Sequence, residues 1–201
     1  MKFDYIEIGT SNFDTMCQAH PNLVGISIEP LDVYLNSLPS HDSVIRINCA
    51  ISKYKGHGEV FYVHPEDIDE YNLPEWLKGC NSFNALHPST SIELEKRELT
   101  HLVRKKEVDV LTWKDLVERY DITKVEFLKI DTEGHDLIII NSILDLMEKQ
   151  TTILPEEIFF ESNILINEEA LKIILKRLTY FGYEIVFSNS ENTLVRKKHE
   201  N

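Results

Sequence analysis

Residues Lys124 to Ser142, reading KVEFLKIDTEGHDLIIINS, constrain this chain more than any other stretch. Val125, Phe127, Leu128 and Ile130 form an apolar run with the length and composition of a buried strand. The run stops at Asp131, Gly134 breaks the pattern, and a new apolar stretch begins at Leu137 to Ile140. A strand, a polar turn carrying Asp131, Glu133, His135 and Asp136, and then a helix is the outline of a parallel-sheet crossover. In open α/β sheets ligands bind beyond the carboxyl ends of the strands, which aims these polar groups at a site. Acidic residues also cap helix starts routinely, so the stretch alone leaves both roles open.

The rest of the chain supplies the matching units. Phe3 to Ile8 reads as a first strand, followed by Gly9-Thr10-Ser11-Asn12 and a helical segment over Phe13 to His20 that Pro21 ends. Leu23 to Ile28 is a second strand with a helix over Leu31 to Leu38, and Val44 to Cys49 a third. Three strand-then-helix units in the first fifty residues predict a doubly wound parallel sheet. Glu59 to Val63 reads as a short extra strand. Residues Pro65 to Pro88 hold three of the seven prolines together with Trp76, Asn81, Ser82, Phe83, Asn84 and His87, and read as a long loop. Loops of that length inside a compact domain usually carry function. Thr90 and Glu93 have capping-box spacing and predict a helix start. Val108 to Thr112 reads as an edge strand, Trp113 to Tyr120 as a short helix, and Glu157 to Glu161 as a fifth core strand. Glu168 to Tyr180 repeats apolar residues at helical spacing and stops before Gly182. Tyr183 to Phe187 and Thr193 to Arg196 read as a terminal antiparallel hairpin. The expected organisation is one domain over 1–201 with an insertion at about 53–107.

Composition narrows the partners. A net charge of −13 repels phosphate backbones, and the basic clusters Arg104-Lys105-Lys106 and Arg196-Lys197-Lys198 read as solvated ends, so no nucleic-acid partner is expected. No apolar run approaches the ~20 residues of a membrane span. Asp4 and Glu7 interrupt any signal-peptide pattern, and Cys17, Cys49 and Cys80 form no CxxC pair, which together predict a reducing, cytoplasmic setting without a membrane.

The loop after the first strand offers Gly9 and no second or third glycine, so it lacks the bare approach that a pyrophosphate needs. A cationic ligand without phosphate fits better, particularly beside Glu7. Glu29 stands at the end of the second strand, where an acidic residue receives the hydroxyls of a ribose, or simply precedes a helix that starts at Pro30. A nucleoside pocket with carboxylates and no phosphate cradle suits S-adenosylmethionine, an adenosine carrying a sulfonium cation.

VEFLKIDTEGHDLIIINSIL resembles the signature of the FkbM-type methyltransferases, in which a strand runs into Lys-Ile-Asp, a variable residue, Glu-Gly and a helix. VDVLTWKDL (Val108 to Leu116) resembles the family's upstream strand and Thr-Leu-Asp-Asp-Leu segment, with Lys114 at the first Asp. NSFNALHP resembles its serine-containing insertion. EIGTSNFDT is a variant of its Asp-x-Gly-Ala-Asn-x-Gly turn, with Glu7 for Asp and Phe13 for the last glycine, and Glu29 falls on its acidic ribose position. The resemblance runs from about Phe3 to Asn163. It implies a Rossmann-like class I methyltransferase sheet, mostly parallel with a C-terminal antiparallel hairpin and helices on both faces. It also implies S-adenosylmethionine-dependent O-methylation, commonly of sugars or other hydroxylated small molecules. A nicotinamide-dependent oxidoreductase and a catalytically inactive binding module are the rival classes.

On this reading Glu7, Gly9, Thr10, Ser11, Asn12, Glu29, Cys49, Ala50, Ile51 and Asp131 form the cofactor pocket. Trp76, Asn81, Ser82 and His87 face a small-molecule or glycan acceptor. Asp131, Glu133 and His135 are the catalytic candidates, Asp131 by position and His135 by an ordinary pKa near neutrality. Asp131, Glu161 and Asn163 supply hard oxygens suited to Mg²⁺, which would orient the acceptor instead.

Overall fold

In a computed structural model, which describes residues 1–198 apart from residues 13, 84 and 164, the chain forms two sheets. The elements in order begin with β1 (Lys2–Ile8), α1 (Met16–Ala19), β2 (Gly25–Ile28), α2 (Asp32–Leu35) and β3 (Val44–Ile47). Then come β4 (Ala50–Ile51), β5 (Gly56–Val63), α3 (Pro65–Glu70), a 3₁₀ turn (Glu75–Lys78), β6 (Ser82–Phe83) and α4 (Pro88–Lys96). After a second 3₁₀ turn (Thr100–Leu102) follow β7 (Val103–Leu111), α5 (Trp113–Arg119), β8 (Lys124–Ile130), α6 (Asp136–Glu148), β9 (Glu157–Glu161), α7 (Glu168–Tyr180), β10 (Tyr183–Ser188) and β11 (Asn192–Lys197).

The main sheet has the order β10-β11-β9-β8-β1-β2-β3. All its pairings are parallel except those of β11 with β9 and with β10, as the terminal hairpin predicts. Ile6 lies opposite both Ile26 and Leu128, so β1 is an interior strand of the sheet and both its faces are covered. That is why its sequence, unlike an exposed strand, buries even Glu7. The chain winds outward from β1 to β2 and β3, then returns to β8 on the other side. The reversal leaves a crevice at the carboxyl ends of β1 and β8, where such sheets hold ligands.

Ile139, Ile140, Ile143 and Leu144 of α6 pack with Trp113 and Leu116 of α5 and Ile174 and Leu178 of α7 in the main core. Each such fully buried side chain contributes about 1.5–3 kcal/mol relative to exposure. Cys17 of α1 meets Leu35 and Leu38 in a separate, smaller cluster. Thr15 caps α1 and Thr112 caps α5, each through a capping box, and Asn167 caps α7 through the Ala170 amide.

Five expectations need correction. The strand-then-helix units in the first fifty residues number two, because the chain after β3 passes through β4 into the second sheet and turns at Gly56 into β5. The helices after β1 and β2 are four residues each; Phe13, expected to begin the first, lies outside the described residues. Residues 65–88 are not a loop. They form two helical turns and a short strand over a local core of Val63, Ile68, Leu73, Leu77, Leu94 and Leu102. Pro65 and Pro88 occupy first helical positions, where a missing N–H costs nothing, so prolines that read as loop punctuation are helix starts. The α4 cap is His87, whose ring accepts from the Ser89 amide, and Thr90 is buried within the helix. Asn84, in the same segment, is outside the described residues.

The fifth correction concerns β7, which is interior to the second sheet, order β4-β7-β5-β6, and longer than the expected edge strand. Its charged half, Arg104 to Lys106, belongs to this strand rather than to an end; Arg104 and Lys105 are exposed as expected, but each of the three cations has a partner. Arg104 meets Asp67 at 2.7 Å, Lys106 meets Asp32 at 2.5 Å, and Lys105 sits over the Phe61 ring. No helix among the described residues is long and apolar enough to cross a membrane.

Candidate active site

The crevice opens where three strand ends meet. Gly9 follows β1 at φ +80°, and its N–H donates to the Ile28 carbonyl at 2.9 Å. The Asp131 N–H, just past β8, donates to the Ile8 carbonyl at 2.9 Å. Thr10 and Ser11 turn back over the end of β2, donating their N–H groups to one oxygen of Glu29 at 3.1 and 2.9 Å. The other Glu29 oxygen accepts from the Leu31 N–H at 2.9 Å. Glu29 is buried at the floor of the cavity, and burial pushes its carboxyl up to about 7 against the pull of those three amides. Pro30, Cys49, Ala50, Ile51, Val60 and Phe83 make the apolar side.

The insertion closes on this loop. The Lys78 carbonyl accepts both the Ser11 hydroxyl and the Asn81 side-chain N–H, each at 2.7 Å. Asn81 thereby faces the cavity beside Gly79, with its own carbonyl oxygen buried and unpartnered.

Opposite the apolar side stands an acidic wall. Asp131, Glu133 and Glu161 each bring a carboxylate oxygen to within 4.8 Å of the others. Glu133 sits at φ +51° and Gly134 at +94°, a tight turn that folds the polar run of the sequence back toward the cavity. Burial, then the neighbouring Glu133, Asp136 and Asp131, push Glu161 up to about 9, so it holds its proton at neutral pH. Partial burial raises Asp131 against the pull of Lys129, 3.7 Å away. Asp136 is fully buried, pushed up to about 6, and joins the two strand ends. It accepts from the Thr132 hydroxyl at 2.6 Å and the Glu161 N–H at 3.1 Å. His135 places Nε2 2.9 Å from the Ser52 hydroxyl and its ring edge-on to Phe83. Burial and the nearby Lys53 pull His135 down to about 4.

The cavity therefore gathers Gly9, Thr10, Ser11, Glu29, Cys49, Ala50, Ile51, Asn81, Asp131, Glu133, His135 and Glu161. It does not gather six other sequence candidates. Glu7 lies fully buried beneath it, ion-paired to Lys129 at 2.9 Å and accepting from the Met16 N–H, so it holds α1 rather than a ligand. Asn12 is outside the lining, where its carbonyl accepts from Gln18. Trp76 is 43% exposed on the outside of the insertion. Ser82 spends its hydroxyl on the Glu133 carbonyl. His87 stands behind Glu133, and Asn163 behind Glu161, donating to it at 3.1 Å. His135 is displaced from its expected near-neutral pKa by burial, which removes the reason for preferring it as a base.

The FkbM methyltransferase domain model matches residues 7–185. The chain belongs to the FkbM methyltransferase family. No curated protein matches it. Every residue lining the cavity of this FkbM methyltransferase, from Ile8 to Glu161, falls inside the matched span. Residues that the sequence did not single out include Thr132, which holds Asp136, and Lys129, which neutralises Glu7.

Proposed function

We propose that this methyltransferase moves a methyl group from S-adenosylmethionine to a hydroxyl of a sugar or glycoconjugate. The observation that carries the reading is Glu29, a buried carboxylate at the carboxyl end of β2 that lines a cavity with one apolar and one acidic side. A ribose donates hydroxyls to such a group, while the single Gly9 turn offers a pyrophosphate no cradle. Cys49 to Ile51, Pro30 and Phe83 supply the apolar surface for an adenine. When bound, S-adenosylmethionine supplies a methyl carbon made electrophilic by its sulfonium. Ionised carboxylates of the acidic wall favour a cation on that side, by about 1 kcal/mol in water and up to ~4 at an effective dielectric near 20. The sugar acceptor is supported by Asn81 and the carboxylates on the same cavity, polar groups that can hydrogen-bond sugar hydroxyls.

Calorimetry with S-adenosylhomocysteine and NADH, followed by transfer of labelled methyl to free sugars and methyl glycosides, tests this. Binding of S-adenosylhomocysteine alone and label on a sugar hydroxyl are expected; binding of NADH alone contradicts the reading. Asn81→Ala is expected to weaken S-adenosylhomocysteine several-fold, because Asn81 is bonded through Lys78 to the Ser11 loop. Trp76→Ala, on the outer surface, is expected to leave that affinity unchanged. Equal losses in the two variants would show that the insertion acts as a single block.

A second reading adds a divalent cation. Three carboxylate oxygens within 4.8 Å are a hard-oxygen set that suits Mg²⁺, with Asp131, Glu133 and Glu161 as its holders in place of the Asp131, Glu161 and Asn163 set. Such an ion would orient the acceptor and lower its hydroxyl pKa. Turnover that EDTA abolishes and Mg²⁺ restores is the expected result on this reading. Rates indifferent to EDTA remove it.

A further inference from the structure

We propose that His87 is a positioning residue for Glu133, holding that carboxylate at the cavity as the base for the acceptor hydroxyl. The inference deepens the methyl-transfer reading and rests on it. It begins with the two ring nitrogens of His87, which is 6% exposed. Nδ1 lies 3.1 Å from the Ser89 amide nitrogen, which can only donate, so Nδ1 is an acceptor and carries no hydrogen. The single hydrogen of the neutral ring is therefore on Nε2. Nε2 stands 3.2 Å from Glu133 Oε2 and donates to it. The tautomer is set by a backbone group, and the carboxylate by the tautomer.

The same arrangement bears on the nearby Cys80, which with His87 and Glu133 forms a second group of potential metal ligands. A metal needs a free nitrogen lone pair, and here Nδ1 is occupied and Nε2 is protonated. Burial also pushes the Cys80 thiol up to about 12, away from the thiolate that a metal prefers. A hydrogen-bond role for His87 is what remains.

Glu133 is held from three directions. Its carboxylate meets His87 at the start of α4, its carbonyl accepts from Ser82 of β6, and its backbone is in the left-handed region beside Gly134. Both side-chain contacts come from the insertion, which couples the ordering of 82–87 to the placement of one oxygen pair. Within the acidic wall the groups differ. Asp131 faces Lys129 and Glu161 accepts from the Asn163 amide, while Glu133 meets the buried ring of His87. In the transfer, the acceptor O–H bond breaks and its proton passes to a Glu133 oxygen. The electron pair left on the acceptor oxygen forms the new C–O bond, the C–S pair remains with sulfur as a neutral thioether, and the proton leaves later to solvent.

The first test needs no turnover. Long-range ¹H–¹⁵N spectra of the ligand-free protein are expected to show His87 as the Nε2–H tautomer, and an Nδ1–H ring or a doubly protonated ring overturns the proposal. The second uses His87→Asn, whose side-chain oxygen replaces Nδ1 as the α4 cap but cannot reach Glu133. The melting temperature and the S-adenosylhomocysteine affinity are expected to stay near wild type while kcat falls about tenfold to a hundredfold. Glu133→Gln is expected to lose at least as much, and the double variant no more than Glu133→Gln, since the two act as one unit. Wild-type kcat in His87→Asn, or additive losses in the double variant, overturns the proposal. A wild type that fails to bind S-adenosylhomocysteine contradicts the methyl-transfer reading instead, and the spectra still decide the tautomer.

Discussion

Gly9→Ala is expected to destabilise the protein by about 3–5 kcal/mol, in the range of the largest single-residue effects, and to abolish binding of S-adenosylhomocysteine. An added Cβ would lie 1.9 Å from the Asp131 carbonyl oxygen, which is backbone and has no rotamer to move to. The φ of +80° adds the strain of a left-handed alanine. Relief requires β1 and β8 to part at their carboxyl ends, which breaks the Asp131–Ile8 bond that frames the cavity. Gly134→Ala isolates the contributions. Its φ is +94°, yet its Cβ would meet only the Leu165 Cβ at 3.6 Å, an ordinary contact. It should cost about 1–2 kcal/mol, the strain alone. Calorimetric unfolding of the two variants measures the difference, and equal losses would mean that the Asp131 carbonyl yields.

The same two residues show what the sequence could and could not convey. Asp131 was legible because a buried strand ending in a polar turn at the sheet's middle leaves its end groups one place to point. Glu29 was legible for the same reason at β2. Both inferences use only neighbours in sequence and a topology rule. The contact of Gly9 with Asp131 spans more than a hundred residues, and nothing local announces it. Glu7 looked equally poised to meet a ligand, but an alternating strand does not say which face holds a cation. Lys129, one strand away, claims it. The insertion differs from the expected loop because proline, a breaker inside a helix, starts helices at 65 and 88. Once those helices exist, His87 becomes a cap with a fixed tautomer rather than a loop residue facing an acceptor. His135 likewise changed when burial, invisible in the sequence, took it to about 4.

Glu29→Ala is expected to lose about 3–5 kcal/mol of stability and S-adenosylhomocysteine binding together, so the fold does not survive this change unharmed. Glu29 is 3% exposed, and its two oxygens satisfy the amides of Thr10, Ser11 and Leu31. Alanine leaves those three donors facing a hole, at about 1–3 kcal/mol for each that stays unsatisfied; water entering from the cavity recovers part. Glu29→Gln keeps one oxygen for the Thr10 and Ser11 amides and sets its own N–H₂ against Leu31, so it should cost less. The carboxyl group also makes wild-type stability depend on pH. Its folded pKa of about 7 lies above the ordinary value of 4.5, because burial disfavours the charge. The folded state therefore binds the proton more tightly than the unfolded chain. The stabilisation is full below about 4.5 and disappears as pH rises through about 7, a change of about 3 kcal/mol at 1.36 kcal/mol per unit. Asp136, pushed up to about 6, and Glu161, pushed up to about 9, act with the same sign, and the net charge of −13 reinforces them. Thermal unfolding is expected to show a higher melting temperature at pH 5.5 than at pH 8.5, with a smaller difference in Glu29→Gln. Ligand binding runs the other way. Ribose hydroxyls donate to the ionised carboxylate, so S-adenosylhomocysteine affinity should rise as pH passes through 7 in the wild type and stay flat in Glu29→Gln. Calorimetry across that range reads both, and an affinity that ignores pH in the wild type would remove Glu29 from the ribose.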